Sequence, residues 1–195
     1  MAEGDQRLFI AVPLPPAAVE ACRELVEGVR ATIDPKGARW VRMDGLHVTL
    51  RFLGDTAPDL VEGVGAAMRT AAEAQPPFTI ALAGAGAFPS GRRPRTLWLG
   101  IEDGTAELAE LSRRLGPPLS ALGWPDEQRP FRPHLTVART DAVQGTQGTV
   151  VGDALAAAAS GWRVTFDATS VVLFRSVLGS GAARYERVGE VGLQG

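Results

Sequence analysis

The chain is predicted to be an α+β protein of two pseudo-symmetric lobes around a central cleft. Three observations predict it. Only two histidines occur in 195 residues, and both lie in one frame, His47-Val48-Thr49-Leu50 and His134-Leu135-Thr136-Val137. Around each motif the hydrophobic pattern reads strand, helix, His-x-Thr strand, helix, strand. Phe9 aligns with Trp98, His47 with His134 and Phe78 with Trp162, at offsets of 84 to 89 residues. Lobes related by a pseudo-two-fold axis set the two motifs opposite each other across a cleft. Residues 1–195 are thus read as a single bilobal domain, with the first motif at 47–50 and the second at 134–137.

Taken in order, Leu8-Phe9-Ile10-Ala11-Val12 is a short unbroken apolar run closed by Pro13, the pattern of a buried strand. Pro15 and Pro16 open a helix with the apolar stripe Val19, Cys22, Val26, Val29 and Ile33, and Asp34-Pro35-Lys36-Gly37 ends it. Arg39-Trp40-Val41 and a turn at Asp44-Gly45 lead into the first His-x-Thr strand, which runs to Leu53 before Gly54. A second helix starts near Thr56, read as its N-cap with Asp59 three residues on, and carries Leu60, Val64, Met68 and Ala71 until Pro76-Pro77. Phe78, Ile80 and Leu82 alternate as a half-buried strand, continued with bulging through the glycine-rich Ala83 to Ala87. After a loop from Phe88 to Arg95, Thr96 to Ile101 is a strand. A third helix begins near Thr105 with Leu108, Leu111, Leu115 and Leu119 in line. Gly116-Pro117-Pro118 is expected to bend or interrupt it, because proline lacks a backbone donor and clashes with the preceding turn. The second His-x-Thr strand spans Arg132 to Arg139, Thr140 to Gly152 is loop-like, and Asp153 to Ser160 is a short alanine-rich helix. Strands at Trp162 to Phe166, Val171 to Phe174 and Tyr185 to Val191 close the chain.

Composition limits the function classes. A hydrophobic content of 45% suffices for a core without covalent staples. Cys22 is the only cysteine, which excludes an internal disulfide and a thiolate metal site. The start is not signal-like and no apolar run approaches about 18 residues, so no membrane contact and a cytoplasmic location are expected. A net charge of −2 argues against a protein that coats nucleic acid through a general positive field, so any polyanion must be met locally. All basic residues but Lys36 are arginine, the better bidentate partner for phosphate.

In a strand, residues two apart share a face, so His47 and Thr49 point one way while Val48 and Leu50 anchor the other. His134 and Thr136 do the same against Leu135 and Val137. Both histidines falling by accident into this frame is on the order of one chance in a few thousand. Together the strands offer a base, an acid and two hydroxyls. Two histidines without a third ligand fall short of a zinc site. No Gly-x-Ser-x-Gly elbow, Walker A string or complete dinucleotide loop is present, the glycines at 84 and 86 lacking a third.

These motifs resemble the 2H phosphoesterase superfamily, and most closely its bacterial and archaeal RNA 2′,3′-cyclic phosphodiesterases, historically called 2′-5′ RNA ligases. The resemblance runs nearly end to end. It includes Arg7 to Val12, Arg39-Trp40-Val41, Leu46 to Gly54, Gly86 to Pro89, Pro94 to Gly100 and Phe131 to Arg139. Departures at Gly116-Pro117-Pro118 and in the small-residue segment Thr140 to Gly161 bear on loop geometry alone. The resemblance implies an antiparallel sheet with helices on its outer face in each lobe. It further implies hydrolysis of RNA 2′,3′-cyclic phosphate ends to 2′-phosphate ends, with reverse joining of 2′-5′ ends without ATP. His47 would be the proton donor and His134 the acceptor; residue spacing does not itself set that direction.

The chemistry fits. Two imidazoles with unperturbed pKa near 6.5 can serve as acid and base together, and Thr49 and Thr136 can donate hydrogen bonds to the phosphate oxygens. A strained, singly charged ring demands no metal, so neither metal nor cofactor is expected. Strand parity puts Arg51 on the catalytic face and Arg139 off it unless a bulge intervenes, whereas the resemblance includes an arginine at position 139. Both are therefore phosphate-contact candidates. Arg92, Arg93 and Arg95 could track an RNA backbone, and Trp40 or Tyr185 could stack on a base. The expected partner is an RNA end, tRNA-like or oligonucleotide, bearing a 2′,3′-cyclic phosphate, bound by a monomer. Competing readings are the same chemistry on a small nucleotide (a cyclic nucleotide, an ADP-ribose cyclic phosphate or a 2′-5′ oligoadenylate), and a non-catalytic RNA-end-binding module.

Overall fold

The computed structural model describes residues 4–33, 38–140, 145–177 and 182–195. The expected turn at Asp34 to Gly37 lies outside them. In chain order the elements are β1 (Gln6–Pro13), α1 (Pro16–Thr32), β2 (Arg39–Trp40), β3 (His47–Thr56), α2 (Val61–Glu73), β4 (Phe78–Phe88), β5 (Thr96–Asp103), α3 (Thr105–Ala121), β6 (Leu135–Arg139), α4 (Gly145–Ala158), β7 (Arg163–Ala168), β8 (Ser170–Val177) and β9 (Arg184–Gly192). All strand pairs are antiparallel, in the order β7-β4-β5-β6-β3-β1-β8-β9, with β2 beside β6.

The sheet has two halves that meet at one residue pair. Val48 of β3 opposes Leu135 of β6, and no other β3–β6 register pair forms among the described residues. Each motif histidine immediately precedes its member of this pair. Antiparallel register around it sets His47 toward Thr136 and Thr49 toward His134.

One face of the sheet packs on the helices. Leu8, Ile10 and Val12 of β1, Val48 and Leu50 of β3, and Leu135 and Val137 of β6 join the main core, together with the buried leucines of α3. Burying each such side chain is worth roughly 1.5–3 kcal/mol. Phe9 and Ala11 alternate to the opposite face, where they cluster with Val172 and Phe174 of β8. β1 is thus buried on both faces, which is why its sequence is apolar without a break.

Several local expectations change. The positional counterpart of β4, which flanks β5, is β8, which flanks β1; β4 and β7 are neighbours, with Phe78 opposite Ala168. Phe78 and Trp162 are therefore not equivalent. Helices also exchange sides: α1 follows β1 but packs on α4 and β7, while α3 follows β5 but packs on α2 and β3. Thr56 ends β3, and its hydroxyl bonds the Gly54 carbonyl at 3.1 Å rather than capping α2, which begins at Val61 after a short turn, Pro58–Leu60. The third helix runs unbroken through Pro117 and Pro118, because buried Leu115 and Leu119 hold the stripe to the core and only two backbone donors near its end are forgone. The fourth begins at Gly145, eight residues before Asp153, and Val151 and Leu155 bury against the core.

Candidate active site

Both imidazoles are held in the same way. His47 Nδ1 lies 2.6 Å from the Gly45 carbonyl and His134 Nδ1 lies 2.7 Å from the Arg132 carbonyl. A carbonyl only accepts, so each Nδ1 carries hydrogen and each Nε2 is the nitrogen left for chemistry. The first carbonyl is placed by a tight turn at Met43–Gly45, across which Arg42 bonds Asp44 at 2.7 and 3.2 Å. That pairing holds the Asp44 carboxyl below its usual range. His47 opens β3, whereas His134 sits one residue before β6 in extended chain.

A cleft of about 590 Å³ separates the halves and is lined by His47, Thr49, His134, Thr136 and Arg139. Arg51 is not among its lining residues. It is buried, donates to the Pro125 carbonyl, and lies 3.7 Å from Glu127.

Two bulges explain why parity misplaced the arginines. In β3, Ile10 opposes Arg51 and Ala11 opposes Thr49, so Leu50 is an extra residue and Arg51 turns to the helix side. In β6, Leu97 opposes Ala138 and Trp98 opposes Thr136, so Val137 is extra and Arg139 returns to the cleft face. Each bulged carbonyl finds a partner, Leu50 from the Ser112 hydroxyl at 3.1 Å and Val137 from the Val41 N–H at 3.0 Å. A second extra residue, Leu53, is satisfied by the Trp124 indole at 2.8 Å.

Sequence reasoning missed Phe52. It stands five residues past His47, as Arg139 stands five past His134, and the bulge turns it onto the cleft wall, 65% exposed. The adjacent apolar pair Phe52-Leu53 was the available signal, since strict alternation does not put two large apolar side chains side by side in a half-buried strand. Of the two base-stacking candidates, Tyr185 lines the cleft, while Trp40 packs into the core.

Aromatic rings surround the histidines unequally. His47 meets Phe9 at 4.7 Å, Phe174 at 5.8 Å and the edge-on Tyr185 at 5.0 Å. Gly45 makes room for this tyrosine, since a Cβ there would lie 2.8 Å from its ring. His134 meets Phe88 at 5.0 Å and Trp98 at 6.4 Å. Burial pushes the His47 pKa down to about 4, opposed by its bond to the Gly45 carbonyl and assisted by the positive charge of His134 and Arg139. Burial, with Arg139 beside it, also lowers His134. Among the described residues there is no cluster of three metal-ligating side chains, and no helix is long and apolar enough to cross a membrane.

Comparison with known proteins agrees with this geometry. A family model described as LigT like Phosphoesterase matches twice, over residues 12–98 and 99–185. An RNA 2′,3′-cyclic phosphodiesterase of Geobacillus stearothermophilus is 37% identical over 131 residues, 67% of this chain but only 41% of that protein's length. The Escherichia coli K12 protein of the same name is 31% identical over 181 residues, 92% of each chain. The crystal structure of E. coli LigT complexed with 3′-AMP superposes with a TM-score of 0.74 and 26% identity, covering 97% of this chain and 98% of the other.

Proposed function

Because this chain belongs to the LigT-like phosphoesterase family, we propose that it hydrolyses 2′,3′-cyclic phosphate ends of RNA to 2′-phosphate ends, using His47 and His134 as an acid-base pair without a metal. The observation that carries the reading is the shared cleft. Two imidazoles, each with Nδ1 tied to a carbonyl, line it together with Thr49, Thr136, Thr96, Arg139 and, on β1, Arg7.

Water attacks phosphorus as His134 Nε2 takes its proton. The bond to the 3′ oxygen breaks, and His47 Nε2–H protonates that oxygen, leaving a 2′-phosphate. Thr49, Thr136 and Arg139 meet the phosphoryl oxygens as charge develops on them. Phe52 offers an exposed ring to the base. The direction of transfer follows the family resemblance and makes a demand on the site. Burial leaves empty-cleft His47 mostly neutral, so the phosphodiester anion must raise its pKa for it to act as donor. Joining of 2′-5′ ends would use the same proton transfers with a 5′ hydroxyl in place of water: it attacks phosphorus as His134 Nε2 takes its proton, and the 3′ oxygen leaves protonated by His47, giving a 2′-5′ diester.

Activity of the relatives named above and the cleft geometry support this reading. A small-nucleotide substrate is the second reading, favoured by the 3′-AMP held in the E. coli structure. A non-catalytic binding module would not need two titratable rings at the phosphate. Chelator-treated protein is expected to convert a cyclic-phosphate-terminated oligonucleotide to the 2′-phosphate. A 3′-phosphate product would reverse the direction of opening, and full activity of His47→Ala or His134→Ala would discard the mechanism. Turnover of a cyclic mononucleotide alone would select the second reading.

A further inference from the structure

Arg39 lies on β2, which pairs with β6, and its register partner is Arg139. Directly opposed residues of antiparallel strands carry their side chains on one face, so Arg39 stands beside Arg139 one strand farther out. Val41 confirms the facing: it is two residues along from Arg39 and lines the cleft. Trp40, between them, opposes the buried Ala138 on the other face and does not line the cleft.

Both arginines are exposed. Two guanidinium groups side by side on one sheet face, one of them lining the cleft, are spaced to meet two successive phosphates.

We propose that Arg39 holds the phosphodiester next to the reacting one, so that the site takes the end of an oligonucleotide in preference to a free cyclic mononucleotide. This rests on the cyclic-phosphate reading of the histidine site. Arg139 meets the reacting phosphate, and Arg39 meets its neighbour on the 5′ side.

Steady-state kinetics on adenosine 2′,3′-cyclic phosphate and on the dinucleotide ApA with the same terminus test it. Arg39→Ala is expected to raise KM for the dinucleotide about tenfold, with a smaller change in kcat, as loss of one charge-assisted contact does. The loss should be several-fold greater than on the mononucleotide, and Arg39→Lys should recover part of it. The dependence of log affinity on log salt should become shallower by about 0.7. Equal losses on both substrates, or none on either, overturn the assignment. Should wild-type protein hydrolyse neither, the proposed activity falls, and Arg39 is then read from binding alone. In that case 3′-phosphorylated ApA must lose affinity on Arg39→Ala while adenosine 3′-phosphate loses much less; any other pattern rejects it.

Discussion

Five residues beyond each motif histidine the two halves of the sheet repeat one backbone device and diverge in chemistry. A bulge three residues after His47, at Leu50, and another three after His134, at Val137, shift the strand phase so that the fifth residue returns to the cleft. In one half that residue is Phe52, in the other Arg139. The backbone is symmetric because both strands must present a histidine and a threonine. The walls as wholes are less unequal, since Arg7 lines the cleft beside the first motif and Phe88 beside the second; under the proposed function it is the fifth residues that divide the labour, Phe52 toward the base and Arg139 toward the phosphate. The histidines differ in the same sense. Three rings enclose His47 and two stand by His134, and among the described residues no ring takes the place of Tyr185 on the second side.

The largest test removes the chemistry from either half. His47→Ala and His134→Ala should each lower kcat/KM by about 10²–10⁴, and a loss confined to one of them would end the picture of a paired site. Next, the two fifth residues should fail differently. Arg139→Ala should lower kcat by about 10² through lost stabilisation of the phosphoryl oxygens, whereas Phe52→Ala should mainly raise KM, about tenfold for one lost stacking contact. Arg51→Ala belongs with neither: its expected defect is in stability, about 1–3 kcal/mol in chemical denaturation, because the Pro125 carbonyl loses its donor. A kcat loss there as large as that of Arg139→Ala would contradict its placement outside the cleft.

Removing the third ring sharpens the difference between the histidines. In Tyr185→Ala, NMR titration should show the His47 pKa rising from about 4 toward the ordinary value near 6.5, with His134 moving less. The smallest effect is on stability. With a folded value near 4 and an unfolded one near 6.5, the unfolded chain binds the proton first, so stability present above about pH 6.5 falls as pH drops toward 4. His47→Asn should show a flatter decline in urea midpoint over that window.

Much of this was legible before any coordinates. The twin His-x-Thr frames, the apolar stripes of α1 and α3, and the unbroken run of β1 follow from side-chain period alone, and period is a local property. Gly116-Pro117-Pro118 does not interrupt α3, for a complementary reason. Local chemistry argues for a break there, and the burial of Leu115 and Leu119, a tertiary contribution, outweighs it.

What the sequence by itself determined is the twin His-x-Thr frame and the face each histidine shares with its threonine. Tertiary structure alone decided that Arg139 rather than Arg51 reaches the cleft. A bulge depends on who pairs with its freed carbonyl, and those partners, Ser112 for Leu50 and Val41 for Val137, come from 62 and 96 residues away along the chain. It likewise decided which helices cover which half, and how deeply each histidine is buried. These are properties of contacts between distant segments, and no pattern within either motif encodes them.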